Sequence, residues 1–353
     1  MLGRSLPAKY YYDNKYYLME QDKIFSSCWL YITSSSRLIN TGDYVSFDLM
    51  NLHFIIIKQD DHSIKGFINS CRHRASTLLE ETYGSCKSKC ITCPYHAWTY
   101  NLDGTLRKAP HFEDIEDFSS CKDKYGLIPI QIKVISGLIF AKLSNDDKEE
   151  FSVIEQFNRL VEIIGNYPIN DYEYHSVKTF EINCNWKIFV ENYMECYHCQ
   201  LLHPLFNASY DLKKYNVNNK DNISHHTCEL KESNKAVGNM DGEWLWMWPN
   251  LTIALYQNYY DTVQIIPISA TKTKLIVTFY GHKKLSKEEL DTNISDLSFQ
   301  TFYEDISICE KVQLNLESGL VNKDGSPLHP TKEEGVIYFD NLIRSYISPL
   351  VQN

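Results

Sequence analysis

The chain has 353 residues, 43% hydrophobic and 23% charged, with a formal net charge of −10. That length buries a full core and suits two domains, while the acidic balance and the lack of any basic run exclude nucleic acid or an anionic membrane surface as the main partner. No stretch approaches 18 apolar residues, and the N-terminus MLGRSLPAKYYYDNKYYL lacks the apolar core and cleavage site of a signal peptide, so a cytoplasmic protein without a membrane segment is expected.

Residues 1–38 are rich in Tyr, and KYYLMEQDKIFSSCWLYI places apolar residues on one face at helical spacing, predicting an N-terminal helical segment that packs on another domain. From Gly42 the texture changes to YVSFDL, HFIIIKQ and SIKGFINS, short β-type pieces separated by Asp, Asn and Gly turns. An all-β domain over residues 39–148 is expected. At its centre, Cys71-x-His73 and Cys93-Pro-Tyr-His96 each set a Cys and a His on a tight loop. Two thiolates and two imidazoles from two loops suit a [2Fe–2S] cluster in which one iron carries the sulfurs and the other the histidines.

Nineteen residues separate His73 from Cys93, and they include Cys86 and Cys90. The 11 cysteines of the chain point to metal ligands and buried thiols before disulfides. Cys86 and Cys90 are expected to be spare, oxidation-prone thiols on an exposed loop extension. Cys90-x-x-Cys93 leaves a zinc knuckle open, and with it a non-enzymatic protein holding zinc at Cys71, His73, Cys93 and His96. Against zinc, no second C-x2-C pair follows at knuckle spacing, and Pro-Tyr-His-Ala-Trp followed by the Leu102-Asp103-Gly104 hairpin would have no reason.

The β texture resumes at YGLIPIQIKVISGLIFAKLS and stops at the acidic run Asn145–Glu150, taken as the boundary of a second domain, residues 149–353. An amphipathic helix, FSVIEQFNRLVEIIGNY, and a strand, EYHSVKTFEINC, lead into NWKIFVENYMECYHCQLLHP, Asn185–Pro204. Residues 185–200 lack Gly and Pro, and Phe189, Tyr193, Cys196 and Tyr197 recur at helical spacing, predicting a buried helix that ends near Pro204. Glu195, His198 and His203 lie within it. On a regular helix His203 falls roughly 140° around from His198, so the two converge only if the helix unwinds or ends between them. Two neutral imidazoles and one carboxylate from elsewhere make the facial set of a non-haem ferrous iron.

The stretch from Pro204 to about Asn239 is polar and aperiodic, as expected of a lid or binding loop. WLWMWPNLTIALYQNYYDTVQIIPISATKTKLIVTFYGH then predicts an antiparallel sheet, broken at Pro249-Asn250, Asp261 and Pro267. Trp244, Trp246 and Trp248 alternate and so share a face. Core packing or a subunit interface explains them, as does an aromatic wall, completed by Tyr256 or Tyr259, for a cationic methylammonium head. The helix DLSFQTFYEDISICEKVQLNLESG offers Asp296, Glu304, Asp305 and Glu310 as the missing carboxylate, and a last helix surrounds GVIYFDNLIRSYI. The fold class is α+β.

Together these motifs resemble those of Rieske non-haem iron oxygenase catalytic subunits. The resemblance rests on CPYHAW (Cys93–Trp98), on Asn185, Trp186, Lys187, Glu191, Asn192, His198, His203 and Pro204, and on EDISICEKVQ in the penultimate helix. It implies a Rieske [2Fe–2S] cluster on Cys71, His73, Cys93 and His96, and a mononuclear Fe(II) on His198, His203 and Asp305, with Glu304 the nearest competitor. Glu195, where the family more often has Asp, becomes an inter-subunit electron-transfer bridge and not a ligand. The family also implies O2 as co-substrate, electrons from NAD(P)H through a flavin/iron–sulfur reductase, directly or through a ferredoxin, and a homotrimer.

Glu195 and its Glu-Cys-Tyr-His-Cys context are similar to the family's quaternary-amine branch, which includes oxygenases of carnitine, choline, glycine betaine and stachydrine. The expected reaction is hydroxylation or N-dealkylation of a small molecule with C–N cleavage. An aromatic ring dihydroxylase would share every metal ligand and is the alternative.

Overall fold

The short β-type pieces of the first half pair into a seven-stranded antiparallel sheet in the order Leu30–Ser34, Leu138–Lys142, Pro129–Ile135, Ile64–Ile68, Leu52–Lys58, Asp43–Leu49 and Tyr83–Ser85. A three-stranded sheet, Cys90–Thr92, Thr99–Asn101 and Leu106–Lys108, accompanies it. Ile55 and Ile57 pack with Tyr44, Phe67, Trp98 and Tyr100 in a core that also contains Cys71 and Cys93. Each such buried side chain contributes about 1.5–3 kcal/mol of apolar burial, so the cysteine loops stand on a firm base. The computed structural model describes residues 2–112, 114–143, 151–232, 241–294 and 297–347. Its two units are Ser26–Asp147 and, separately, Met1–Phe25 with Lys148–Asn353.

The N-terminal run is helical only as far as Phe25: an α-helix over Asn14–Glu20 continues as a π-turn through Gln21–Phe25. Leu30–Ser34 is a fully buried strand, because its aromatic and β-branched side chains suit a covered pleat better than a helix. The helix is tied to the second unit through Glu20. Its carboxylate, wholly buried, lies 2.5 Å from Lys187 Nζ and accepts from Trp186 Nε1 at 2.7 Å.

The second unit is built on another seven-stranded antiparallel sheet, in the order Tyr172–Ile182, Lys272–His282, Tyr259–Ser269, Leu251–Leu255, Gly242–Met247, Ile223–Cys228 and Asn216–Lys220. Two expectations change here. The polar stretch after Pro204 is a short helix, Pro204–Ser209, and then an edge hairpin rather than a long loop. Its turn residues Asp221 and Asn222 have φ 52° and 59°, the doubly positive turn that joins two-residue hairpins. Half-exposed polar strands carry no apolar rhythm, which is why periodicity passes over them. Residues 233–240 lie outside the described residues, as does the acidic run placed at Asn145–Glu150. Asp261, in turn, does not break its strand but sits inside Tyr259–Ser269, paired with Ala254 and Phe279.

Helices Trp186–Tyr193, Leu297–Glu317 and Glu334–Ile347 accompany this sheet. Asn185 caps the first of them by accepting from Lys187 N, while its own N–H donates to Gln313 and its amide to Ala270 O. One residue thereby fixes the start of that helix against both the long helix, through its backbone N–H, and the sheet, through its side chain.

Candidate metal centres and substrate cavity

The two Cys–His loops of the first unit share one backbone design. Cys71 N–H donates to Ser76 O and Ala75 N–H to Cys71 O; Cys93 N–H donates to Trp98 O and Ala97 N–H to Cys93 O. Ala75 and Ala97 take φ of 55° and 56°, closing each loop so that Cys and His point the same way. The His73 and His96 rings are 4.8 Å apart, and His73 stacks on Trp98 at 4.9 Å. Tyr100 OH lies 3.2 Å from Cys71 Sγ and accepts from Arg72 N–H. Burial lifts the Cys71 thiol above its ordinary range and, with the neighbouring His96, lowers His73. His73 Nδ1 is buried with no hydrogen-bond partner. A buried imidazole nitrogen without a donor, beside two convergent thiols, fits a [2Fe–2S] centre ligated by Cys71, Cys93, His73 and His96.

In the second unit the helix expected over Asn185–Pro204 is not continuous. It ends at Met194, and the chain resumes as Cys199–Leu202 and, after His203 at φ −115°, as Pro204–Ser209. Glu195 causes the break: its Oε2 accepts from the backbone N–H groups of Tyr197 and His198, which therefore leave the helical ladder. A Cys196–Cys199 disulfide closes the same turn. The unwinding lets His198 and His203 meet, with their Nε2 atoms 3.1 Å apart.

Asp305 Oδ1, from the long helix, is 3.1 Å from His203 Nε2 and 3.6 Å from His198 Nε2. His198 Nδ1 lies 2.5 Å from Glu195 Oε1, and His203 Nδ1 lies 2.7 Å from Glu304 Oε2. Ionised carboxylates only accept, so each Nδ1 carries the hydrogen and each Nε2 of a neutral ring is a bare lone pair. Asp305 Oδ1 is itself buried without a hydrogen bond. Three acceptors facing one point repel one another unless a cation joins them. Ligand atoms roughly 2.1 Å from a metal and at right angles are about 3.0 Å apart, so this spacing fits a facially bound iron. Burial alone would lower His203, but Asp305 and Glu304 outweigh it and raise its affinity for a positive charge.

Other groups near this point have different work. Cys199 is close to both histidines, but its sulfur is taken by Cys196. Glu310 accepts from Asn183 N–H and its side-chain amide at 2.8 and 3.0 Å, away from the histidines. Asp296 lies outside the described residues.

A cavity runs from His198, His203 and Asp305 along the sheet, walled by Phe189, Tyr193, Phe206, Tyr210, Trp244, Tyr256 and Phe302, with polar positions at Tyr215, His226 and Asp261. Of the residues expected to form an aromatic wall, Trp244 and Tyr256 line it. Trp246 and Trp248 do not: they are buried against Phe339, at 5.3 and 6.3 Å between ring centroids, and Trp248 lies past the strand's end at Met247. Tyr259 stacks behind Tyr256 at 4.4 Å and is not in the wall. Tyr197, expected on the buried face, is 61% exposed because the helix has already ended.

Cys86 is buried, and desolvation with a contribution from Cys90 pushes its thiol up to about 11. Cys90 begins a paired strand. Cys86 is therefore no exposed thiol, whereas Cys90 is partly exposed and follows the exposed residues Lys87, Ser88 and Lys89.

The residues missed from sequence are His226, Tyr215, Phe206, Tyr210 and Asp261. The last did carry a signal, a lone acid in an otherwise apolar strand.

Comparison with known proteins adds relatives to this geometry. Residues 169–349 match the ring hydroxylating alpha subunit (catalytic domain) and residues 28–119 match the Rieske [2Fe–2S] domain; the latter removes the zinc knuckle. The chain is 28% identical to the carnitine monooxygenase oxygenase subunit of Escherichia coli K12, over 96% of this chain and 92% of that protein. It is 26% identical to the chloroplastic choline monooxygenase of Arabidopsis thaliana, over 90% of this chain and 77% of that protein. Among solved structures, a quaternary ammonium Rieske monooxygenase in complex with L-carnitine aligns with a TM-score of 0.83 and 26% identity, covering 98% of this chain and 96% of that one.

Proposed function

The chain belongs to the Rieske ring-hydroxylating oxygenase alpha-subunit family, and from that premise we propose that it oxidises a small quaternary ammonium compound at a carbon beside nitrogen and so cleaves a C–N bond. The observation that carries this reading is the aromatic cavity that opens onto His198, His203 and Asp305, since aromatic faces attract a permanent cation that cannot be satisfied by hydrogen bonds. Relatives named for carnitine and choline support it.

In this proposal Cys71, His73, Cys93 and His96 hold the cluster, and His198, His203 and Asp305 hold the ferrous iron. When bound, the cluster supplies electrons singly and the iron activates O2. Glu195 and Glu304 keep the Nδ1 hydrogens of the two imidazoles in place and so aim their Nε2 atoms. The aromatic walls position the substrate and keep bulk water out. Overall, one oxygen atom of O2 enters the C–H bond beside nitrogen and the other leaves as water, consuming two electrons and two protons. The N–C–OH product then loses a proton and separates into a tertiary amine and a carbonyl compound.

Electrons come from NAD(P)H through a flavin/iron–sulfur reductase, and the working form is a cytoplasmic homotrimer. His96 and Tyr95 at the tip of one unit are exposed, and so are Tyr197 and Leu201 beside Glu195 in the other. Such surfaces suit docking of a cluster from a neighbouring chain, with Glu195 as the bridge.

The test is O2 uptake by iron-loaded protein with a surrogate reductase and NADH. Uptake with tertiary amine release is expected from carnitine, γ-butyrobetaine or choline, and none from naphthalene. The opposite pattern would favour the aromatic ring dihydroxylase.

A further inference from the structure

One rung of the sheet wall crosses four strands. His226 pairs with Trp244, Trp244 with Ala254, and Ala254 with Asp261, and all four side chains line the cavity. Adjacent strands are about 4.8 Å apart, so Trp244 and Asp261 stand roughly 10 Å apart across the small side chain of Ala254. The result is a recess with an indole on one side and a carboxyl on the other.

Asp261 is 3% exposed, and among the described residues no hydrogen-bond donor or cation partners its carboxyl. Burial alone pushes its pKa up to about 8. The titratable groups facing it are the phenols of Tyr193 from the helical wall and Tyr256 from the adjoining strand end, both held above their ordinary range: Tyr193 by desolvation and then Asp261, Tyr256 by desolvation and then Tyr259 and Asp261. His226, at the far end of the same rung, adds no charge. Burial and the nearby His225 push it down to about 3, and its two nitrogens lie 2.6 Å from Tyr215 OH and 2.7 Å from Ser224 Oγ. A buried carboxyl left without donors is costly unless a positive charge arrives to match it. A primary ammonium would seek several acceptors, whereas a quaternary one needs charge and apolar contact and nothing else.

We infer that Asp261 is the counter-charge for the quaternary ammonium head of the substrate, which sits over Ala254 between the Asp261 carboxylate and the face of Trp244. This assignment rests on the substrate class proposed above. It makes Asp261 a specificity determinant, remote from the metal ligands in sequence and carried on a different element.

The experiment is calorimetric titration of anaerobic holoenzyme, without reductase, using choline and its uncharged carbon isostere 3,3-dimethyl-1-butanol. Wild type should prefer choline by about tenfold or more. Asp261→Asn should lose that preference while holding the isostere within about twofold. Titration at pH 7 in two buffers of different ionisation enthalpy gives a second readout: choline binding to wild type should release close to one proton, and binding to Asp261→Asn none. A purely structural acid would not produce this. If Asp261→Asn keeps the preference, the role of Asp261 is overturned and the substrate class stands. If wild type does not distinguish choline from the isostere, both fall. Should Asp261→Asn fail to fold, Asp261→Ser removes the same charge with a smaller side chain, and its keeping the preference for choline would likewise overturn the role.

Discussion

His203 Nδ1 lies 2.7 Å from Glu304 Oε2, and that contact fixes what the far edge of the ring can do. With the hydrogen held at Nδ1, Nε2 presents a lone pair 3.1 Å from Asp305 Oδ1. Two adjacent acids on one helix therefore have opposite relations to one imidazole: Glu304 orients it through Nδ1, and Asp305 faces its bare Nε2.

His203→Ala and Asp305→Ala should each lose about one iron per chain while acid-labile sulfide stays unchanged, because the cluster ligands belong to the other unit. Glu304→Gln should keep the ligand set but weaken iron binding about 10- to 100-fold. Iron and sulfide analysis checks all three. If Glu304→Ala alone removes the iron, the carboxylate has been assigned one residue too late.

Glu195→Gln loaded with excess ferrous iron should still hold both metal centres, since Glu195 touches the Nδ1 side of His198 and not its ligating nitrogen, while its iron affinity should fall about 10- to 100-fold as for Glu304→Gln. The reductase should still reduce the cluster, but reoxidation with substrate and O2 should be slow or absent in stopped-flow traces. Mixing Glu195→Gln chains with Cys93→Ser chains, each inactive alone, should restore part of the activity. In the trimers proposed above, an intact cluster can then stand beside an intact acceptor site of a neighbouring chain. No recovery in trimers shown by mass to be mixed would mean that electrons pass within one chain.

Tyr100→Phe removes the hydroxyl 3.2 Å from Cys71 Sγ. A hydrogen bond to a cluster sulfur favours the reduced, more negative state. At about 1 kcal/mol, its loss should lower the cluster potential by roughly 40 mV for one electron. Redox titration followed by electron paramagnetic resonance measures it, with the cluster content unchanged.

Asp340 is held up to about 7, chiefly by burial, with Arg344 acting in the opposite direction. Its neighbour Glu191 is raised well above the carboxylate range by burial and by Asp340. Asp340 Oδ2 accepts from Leu6 N–H at 3.1 Å, while Oδ1 has no hydrogen bond unless this acid pair holds a proton. A carboxyl whose folded pKa exceeds its unfolded value near 3.9 contributes stability that is complete below that value and is lost as pH rises through about 7. Asp340→Asn offers an amide that needs no proton. The variant should gain on the order of a few kcal/mol relative to wild type between pH 5 and pH 8, read as a flatter melting temperature against pH.

The loops around Cys71 and Cys93 were legible because a cluster fixes residue types at short range, and the β texture around them alternates clearly. The convergence of His198 with His203 was legible only as a condition, a break in the helix. What supplies the break is the Glu195 carboxylate capturing two backbone N–H groups, which no apolar pattern records. Trp244, Trp246 and Trp248 look equivalent at period two, yet only the first meets the cavity, since Phe339 covers the other two. Asp261 resembled a strand breaker because acids are rare in buried strands. It is tolerated there because its side chain turns into a cavity rather than into packed core.

The cavity has two walls of different construction. The iron ligands proposed above and the acids that orient them stand on helices and the turn between them, whereas the rung from His226 to Asp261 stands on the sheet, where one position in every two along a strand faces the cavity side. Substrate scope can therefore drift, or be engineered, by changing sheet residues 244, 254 and 261 alone, with the oxidising machinery inherited intact. Two-residue insertions in these strands would preserve which side chains face the cavity, while a single insertion would turn the rest of that strand inside out. Relatives with new substrates should accordingly differ most at alternate positions of Gly242–Met247, Leu251–Leu255 and Tyr259–Ser269.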